Sequence, residues 1–298
     1  MAATTAREAG RRVRASAERR RPGLGDAAFY LAMVLLAVVF MFPFIWTLSG
    51  SLKAVDELFD FPPPLFPKVP QFRNYAVALN TVPFARWIGN SLLVVVLATL
   101  GTVLSASVVA YSFARFKYRG RDFIFMLTLA TLMLPGQVTL IPQFILFFKL
   151  GLINTLYPLW LPFWFGGAGF YIFLLRQFLM SIPPDLDEAA LIDGASYFRV
   201  FRTILLPLCK PALATVAVIS FIAHWNEFNT PLVYLNSPEK FTVALGLSFY
   251  RNIPEQGGMP MQHLLMAGSL MAIAPCLVLF FSAQRYFVQG IVLSGLKG

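Results

Sequence analysis

The sequence predicts an all-α, polytopic membrane protein with six transmembrane helices, and three observations carry that reading. Hydrophobic side chains make up 58% of the 298 residues and charged ones 13%, at a mean hydropathy of +0.69. That is more apolar surface than a soluble domain of this length buries, so lipid must cover the excess. Six long runs are almost free of formal charge, and the basic residues collect in the segments between them.

Crossing about 30 Å of hydrocarbon takes about 20 apolar residues at about 1.5 Å each. The qualifying runs are Phe29 to Leu48, Trp87 to Ala114, Phe123 to Phe148, Leu156 to Leu175, Ala212 to Leu235 and Leu264 to Gln284. Helices are expected because each backbone N–H and C=O in lipid must be paired within its own segment, and the alternation of barrel strands is absent. The first run follows an Arg-rich tail, residues 1–27, but exceeds the roughly 7–15 apolar residues of a secretion signal and lacks an A-x-A site, so it is read as a retained span. With the external segment after it, this run makes a first unit, residues 28–84. A five-span core follows over residues 85–290, and residues 291–298 form a tail. In the second run Gly101 and Ser105 mark a close helix approach. Pro135, Gly136 and Pro142 interrupt the third run and Pro158 and Pro162 the fourth, which predicts kinks whose freed carbonyls need other partners.

Placing the N-terminus inside puts seventeen of the 24 basic residues on one side. These are the tail arginines (Arg7, Arg11, Arg12, Arg14, Arg19, Arg20, Arg21), Arg115, Lys117, Arg119, Arg121, Arg176, Arg199, Arg202, Lys210, Arg285 and Lys297. The opposite side keeps Lys53, Lys68, Arg73, Arg86, Lys149, Lys240 and Arg251. This bias predicts both termini in the cytoplasm, and it accounts for the net charge of +10 without nucleic acid. Cys209 and Cys276 lie far apart in sequence and are read as packing residues rather than a disulfide.

The long cytoplasmic loop, residues 181–211, reads as helix, turn, helix. Pro183 and Pro184 suit a helix start, and Asp185, Asp187 and Glu188 place negative charge where the helix dipole favours it. Gly194 fits the left-handed position that ends this helix, and Ser196 fits the cap of the next, which ends near Pro207. Ala189, Ala190 and Ala195 let the backbone sit deep in a partner groove. On these residues alone, a docking element and a helix lying on lipid headgroups are both open.

The spacing separates the two. Glu188, Ala189, Ala190, Gly194, Ile204, Leu206 and Pro207 reproduce the cytoplasmic signature, the EAA pattern with its later Gly and I-x-L-P, that this loop resembles in permease subunits of binding-protein-dependent ABC importers. The stretches YSFARFKYRGRD, LMLPGQVTLIPQFILFFKLGLINT, HWNEFNTPLVYL and QRYFVQGIVLSGLKG resemble the carbohydrate branch of that family, in particular the six-span maltose-system permease, over roughly Ala85 to the C-terminus. The resemblance implies a permease fold with a cytoplasmic coupling helix, a second permease subunit, two cytoplasmic ATPase subunits and an external solute-binding protein delivering a sugar. It assigns ATPase coupling to Glu188, Ala189, Ala190, Asp193, Gly194, Ala195, Ile204, Leu206 and Pro207.

The chain has no G-x-x-x-x-G-K-[ST] phosphate loop, so ATP and Mg are expected on the partner subunits, with no cofactor, metal or catalytic residue in this chain. Glu227 is the single acid within an apolar run, about 22 Å along the helix from Ala212 at 1.5 Å per residue. Two readings stand for it: a group lining a sugar pathway with Trp225, Asn226 and Asn229, or a carboxylate satisfied by neighbouring helices. His224 with Glu227 lacks the third ligand a zinc site needs. The same architecture carrying a peptide, polyamine or phosphate is the alternative. An ion-coupled transporter is expected to show several intramembrane acids and two similar halves, and a membrane enzyme a catalytic constellation; the sequence has neither.

Overall fold

The computed structural model describes residues 24–166, 169–250 and 261–295, so the tail arginines, Arg251 and Lys297 lie outside the described residues. Among the described residues every regular element is a helix. Four stretches are long and apolar enough to cross a membrane: Ala28–Ser51, Phe84–Arg115, Tyr157–Ser181 and Gln262–Ala283. Two bent pairs, Arg121–Met133 with Gly136–Lys149 and Tyr197–Leu208 with Lys210–Trp225, raise the number to six if each pair is one span.

Residues 1–49 and 50–298 form two compact units. Helix α1 (Leu24–Ser51) carries most of the first and is apolar on every side, the composition a lipid-facing span requires. Residues 50–84 belong with the second unit, where α2 (Arg73–Thr81) packs against the last helix, α14 (Gln262–Gly295).

The spine of the second unit is α3 (Phe84–Arg115), 32 residues long. Around it pack α7 (Gly169–Ser181), α11 (Lys210–Trp225) and the tight 161–165 turn. One of its ends enters a cluster with Trp87, Tyr234, Phe241, Tyr250 and Leu264; the other enters a second cluster with Tyr111, Phe113, Leu175, Phe201 and Leu205. Small residues permit the contact with the 161–165 turn. A methyl on Gly101 would lie 2.5 Å from the Trp164 ring, and Ser105 Oγ donates to the Phe163 carbonyl at 2.8 Å. The predicted close approach is therefore to an irregular turn, whose freed carbonyl the serine satisfies.

The third apolar run is two helices, α4 (Arg121–Ala130, extended by a tight turn to Met133) and α5 (Gly136–Lys149), meeting at 100° around Pro135. Proline there removes the N–H that would continue the ladder, and Leu134 before it is extended, with ψ 122°. The fourth run starts as α6 (Tyr157–Trp160), tightens over 161–165 and resumes as α7 after a left-handed Gly166.

The fifth run differs from the continuous span expected over Ala212 to Leu235. Helix α11 stops at Trp225, and a separate α12 (Asn229–Tyr234) follows. Asn226 folds its side-chain amide back onto the Ile222 carbonyl at 2.8 Å, and Glu227 turns to the start of α12 instead of sitting within a helix. The rise of about 22 Å expected for it above Ala212 therefore holds only as far as Trp225, where α11 stops.

The connections sort into two groups. Arg115 meets Ile182 and Asp187 at one end of the bundle. At the other, Trp87 Nε1 donates to Pro238 O at 2.7 Å, and Asn90 Nδ2 bridges the carbonyls of Glu239 and Phe241 at 2.9 and 3.0 Å. Asn154, at φ +57°, accepts from the N–H groups of Asn236 and Ser237 at 3.1 Å each, while its carbonyl takes Lys240 Nζ at 2.7 Å. A short α13 (Val243–Tyr250) closes that end.

Candidate functional site

The loop between α7 and α11 is built by local chemistry. Pro184 precedes α8 (Asp185–Ile192), and its carbonyl accepts from Asp187 N at 2.9 Å and Glu188 N at 3.1 Å. At the other end Ala195 N donates to Ala190 O at 2.9 Å and Gly194 N to Leu191 O at 3.0 Å, with Gly194 at φ +82°. These are the paired six-to-one and five-to-two bonds of a Schellman stop, which needs a left-handed residue where Gly194 stands. The spacing from Ala190 to Gly194 and Ala195 is therefore a helix-ending geometry. Ser196 then caps α9 (Tyr197–Val200), its Oγ accepting from Arg199 N at 3.3 Å. A π-turn over 201–205 leads into α10 (Leu206–Leu208), which holds Pro207; Cys209 ends that arm at a 76° bend into α11.

Helix α8 has two faces. Ala190, Leu191 and Ala195 pack with Ile204 and Leu206 onto the inner cluster. Glu188, Ala189, Asp193 and Gly194 are exposed, and beside them Ile192 is 86% and Phe198 68% exposed. Asp187 sits on the bundle side, its Oδ2 2.6 Å from Arg115 Nε, with side-chain exposures of 13% and 11%. Burial pushes the Asp187 carboxyl above its usual range while the Arg115 charge pulls it back.

Toward the middle of the bundle lies a cavity of about 710 Å³. Three of the helix breaks border it: Thr128, Thr131 and Leu132 come from one side of the 100° bend and Thr139 and Gln143 from the other, Pro158, Pro162, Phe163 and Gly166 from the tight turn, and His224 and Glu227 from the end of α11. Non-helical backbone at membrane depth is tolerated where it lines such a space. Thr131 and Thr139 donate their hydroxyl protons to the carbonyls of Thr128 (2.6 Å) and Gly136 (3.0 Å), which leaves hydroxyl lone pairs as acceptors. Glu227 Oε1 accepts from Thr230 N at 3.0 Å and Thr230 Oγ1 at 3.2 Å, capping α12. His224 packs edge-on against Phe163 at 4.3 Å, and its Nε2 has no hydrogen-bond partner among the described residues. Among the described residues no three His, Cys, Asp or Glu converge on a common point, and no lysine or arginine lines this cavity.

The four pathway candidates read from the sequence are not brought together. Glu227 lines the cavity; Trp225 is buried on another side, stacked on Phe221 and donating to Ala272 O at 3.0 Å. Asn226 borders a different groove together with Trp225, Ala272 and Cys276, and Asn229 lines neither. Sequence reasoning passed over Thr128, Thr131, Thr139 and Gln143. The available signal was a polar stripe at helical spacing on each side of Pro135, three residues apart before it and four after.

Broken helices around a cavity partly lined by polar groups, with an exposed, glycine-stopped helix at one end of the same bundle, are the architecture of a membrane-transport subunit. Residues 101–293 match the family described as binding-protein-dependent transport system inner membrane component, and the chain belongs to that family. It is 34% identical over 274 residues to the arabinooligosaccharides transport system permease protein AraQ of Bacillus subtilis, covering 91% of this chain and 95% of the relative. The trehalose/maltose transport system permease protein MalG of Thermococcus litoralis is 33% identical over 271 residues, covering 90% and 95%. The fold matches a chain of a bacterial ABC transporter involved in the import of the acidic polysaccharide alginate, with a TM-score of 0.78 at 23% identity, over 90% of this chain and 99% of that one. It also matches a chain of a bacterial alginate ABC transporter in complex with alginate pentasaccharide-bound periplasmic protein, with a TM-score of 0.63 at 17% identity, over 86% and 93%.

Proposed function

We infer that this chain forms half of the transmembrane pathway of an ATP-driven importer of neutral sugars or oligosaccharides, with both termini in the cytoplasm. A second, related permease completes the pathway, two cytoplasmic ATPase subunits bind ATP and Mg, and an external binding protein delivers the solute. The observation that carries this reading is the two-faced α8, anchored to the bundle by Ala190 and Leu191 and open at Glu188, Ala189 and Ile192. Its exposed acids, Asp185, Glu188 and Asp193, disfavour an anionic lipid surface and suit the basic rim of a protein groove. When nucleotide closes the ATPases, α8 moves with them and the spans rock from inward-open to outward-open.

The relatives' names point to saccharides, and the cavity supplies the chemistry for them: hydroxyl acceptors, a glutamine amide and aromatic walls at Phe163 and Tyr171. Among the described residues the cavity wall carries one carboxylate and no lysine or arginine, which does not favour phosphate or acidic sugars. The deciding experiment reconstitutes the chain with its partner subunits and follows uptake of neutral oligosaccharides, phosphate and a polyamine. ATP-dependent uptake confined to the neutral sugars is expected; uptake of the ions alone would overturn the sugar reading.

Glu227 separates a capping role from a charge role. Glu227→Gln keeps an acceptor for Thr230 and is expected to hold neutral-sugar uptake within about threefold of the parent, because a cap depends on the acceptor more than on the charge. Glu227→Ala loses about 0.5–2 kcal/mol of capping at the cavity wall and is expected to transport several-fold more slowly. Parallel uptake assays with matched membrane abundance check both.

A further inference from the structure

The docking helix is tied to the bundle by a pair of residues outside the loop's recognised pattern. Arg115, in the last turn of α3, places Nε 2.6 Å from Asp187 Oδ2, and its Nη2 donates to the Ile182 carbonyl at 3.0 Å. One turn earlier, Tyr111 donates to the Tyr197 carbonyl at 3.2 Å and stacks on Phe201 at 4.9 Å, while Phe116 meets Tyr197 edge-on at 5.2 Å. Residues on both sides of the Gly194 turn, Asp187 before it and Tyr197 after, are thus held by the same end of one helix.

That helix is suited to carry motion. The loop's own exit toward the cavity bends by 76° at Cys209, so a push along the 197–208 arm is not delivered straight into α11. On the other side α7 enters the loop through Ile182 and two prolines, and Arg115 grips that joint as well. By contrast α3 is helical without interruption from Arg115 to Val94 at the cavity wall, a distance of about 31 Å at 1.5 Å per residue.

We propose that the Arg115–Asp187 ion pair is the positioning joint through which displacement of α8 is passed into α3 and so to the cavity. The pair is nearly shielded from water, so removing either charge leaves the other uncompensated, whereas an exposed pair would contribute little. With the charges in place, α8 and the end of α3 move as one body. Without them, α8 still presents Glu188, Ala189 and Ile192 to the ATPase but slides against the bundle. The inference rests on the docking reading of α8.

The test uses the complete reconstituted transporter with its binding protein and measures solute taken up per ATP hydrolysed, alongside co-isolation of the ATPase. Asp187→Asn is expected to lower that ratio about tenfold while the ATPase still co-isolates, and Asp187→Glu, which restores a carboxylate, to recover at least half of it. An unchanged ratio in Asp187→Asn would overturn the inference. Should Asp187→Asn fail to accumulate in the membrane, the exchanged pair Arg115→Asp with Asp187→Arg decides. Recovery of both abundance and ratio supports the joint, and recovery of abundance alone overturns it as a merely structural contact. Failure of the unmutated chain to co-isolate with an ATPase would overturn the docking reading beneath it, an outcome distinct from an unchanged ratio in an assembled complex.

Discussion

Gly194→Val is expected to reduce solute uptake at least about tenfold while the protein still inserts, because 1.4 kcal/mol of misplacement already corresponds to a factor of ten. Gly194 stands at φ +82°, with no neighbouring atom within 4 Å of an added methyl, so the damage comes from the backbone and not from a clash. A left-handed conformation costs an L-residue about 1–2 kcal/mol, and a β-branched side chain makes it worse. If valine refuses that conformation, the bonds from Ala195 to Ala190 and from Gly194 to Leu191 are lost with it, at about 1 kcal/mol each. The last turn of α8, which exposes Ile192, then no longer holds its place. The check is paired uptake and ATP hydrolysis in proteoliposomes; uptake at the parental level would mean that the turn does not matter to coupling.

Trp87→Ala is expected to cost about 3–5 kcal/mol of stability, the range for deleting a large buried aromatic. Trp87 is 2% exposed at the junction of α3, α13 and the 238–240 turn. Its indole N–H donates to Pro238 O at 2.7 Å, its ring meets Tyr250 edge-on at 6.1 Å, and Gly246 lies directly under it with no room for a side chain. Alanine leaves a cavity, an unpaired carbonyl and an unsupported Tyr250, whose hydroxyl donates to the Ala78 carbonyl of α2. A marked fall in melting temperature of the detergent-solubilised protein checks this, and a shift of under one degree would contradict the packing described here. Thr131, on the cavity wall, is not part of that cluster and is expected to leave the melting temperature near the parental value when changed to valine.

The sequence made local features legible, and the structure supplied what depends on direction. The Gly194 stop and the Ser196 cap follow from chemistry within a few residues, so spacing alone predicts them. Charge-free runs reveal that a segment is lipid-compatible, but hydropathy has no geometry. Pro135 therefore read as a kink, whereas the chain turns by 100° there. The same blindness made Ala212 to Leu235 look like one span, although Asn226 and Glu227 divide it by bonding to neighbouring backbone. The cavity threonines were hidden for a related reason: a hydroxyl scarcely alters the hydropathy of a window, and only the bend brings Thr131 and Thr139 to one space. Arg115 counted as a loop charge in the topology argument and Asp187 as a helix-dipole charge, and nothing in their spacing indicates that they meet at 2.6 Å.

Force entering through α8 is most directly tested by site-directed crosslinking in the assembled transporter. A single cysteine replacing Ile192, which is 86% exposed, is introduced after Cys209 and Cys276 are changed to serine, and a short bifunctional reagent is added during ATP-driven uptake. A covalent adduct with an ATPase subunit, accompanied by arrest of uptake, is the expected result. Sustained uptake with no such adduct, or accumulation that continues once ATP is exhausted, would contradict it.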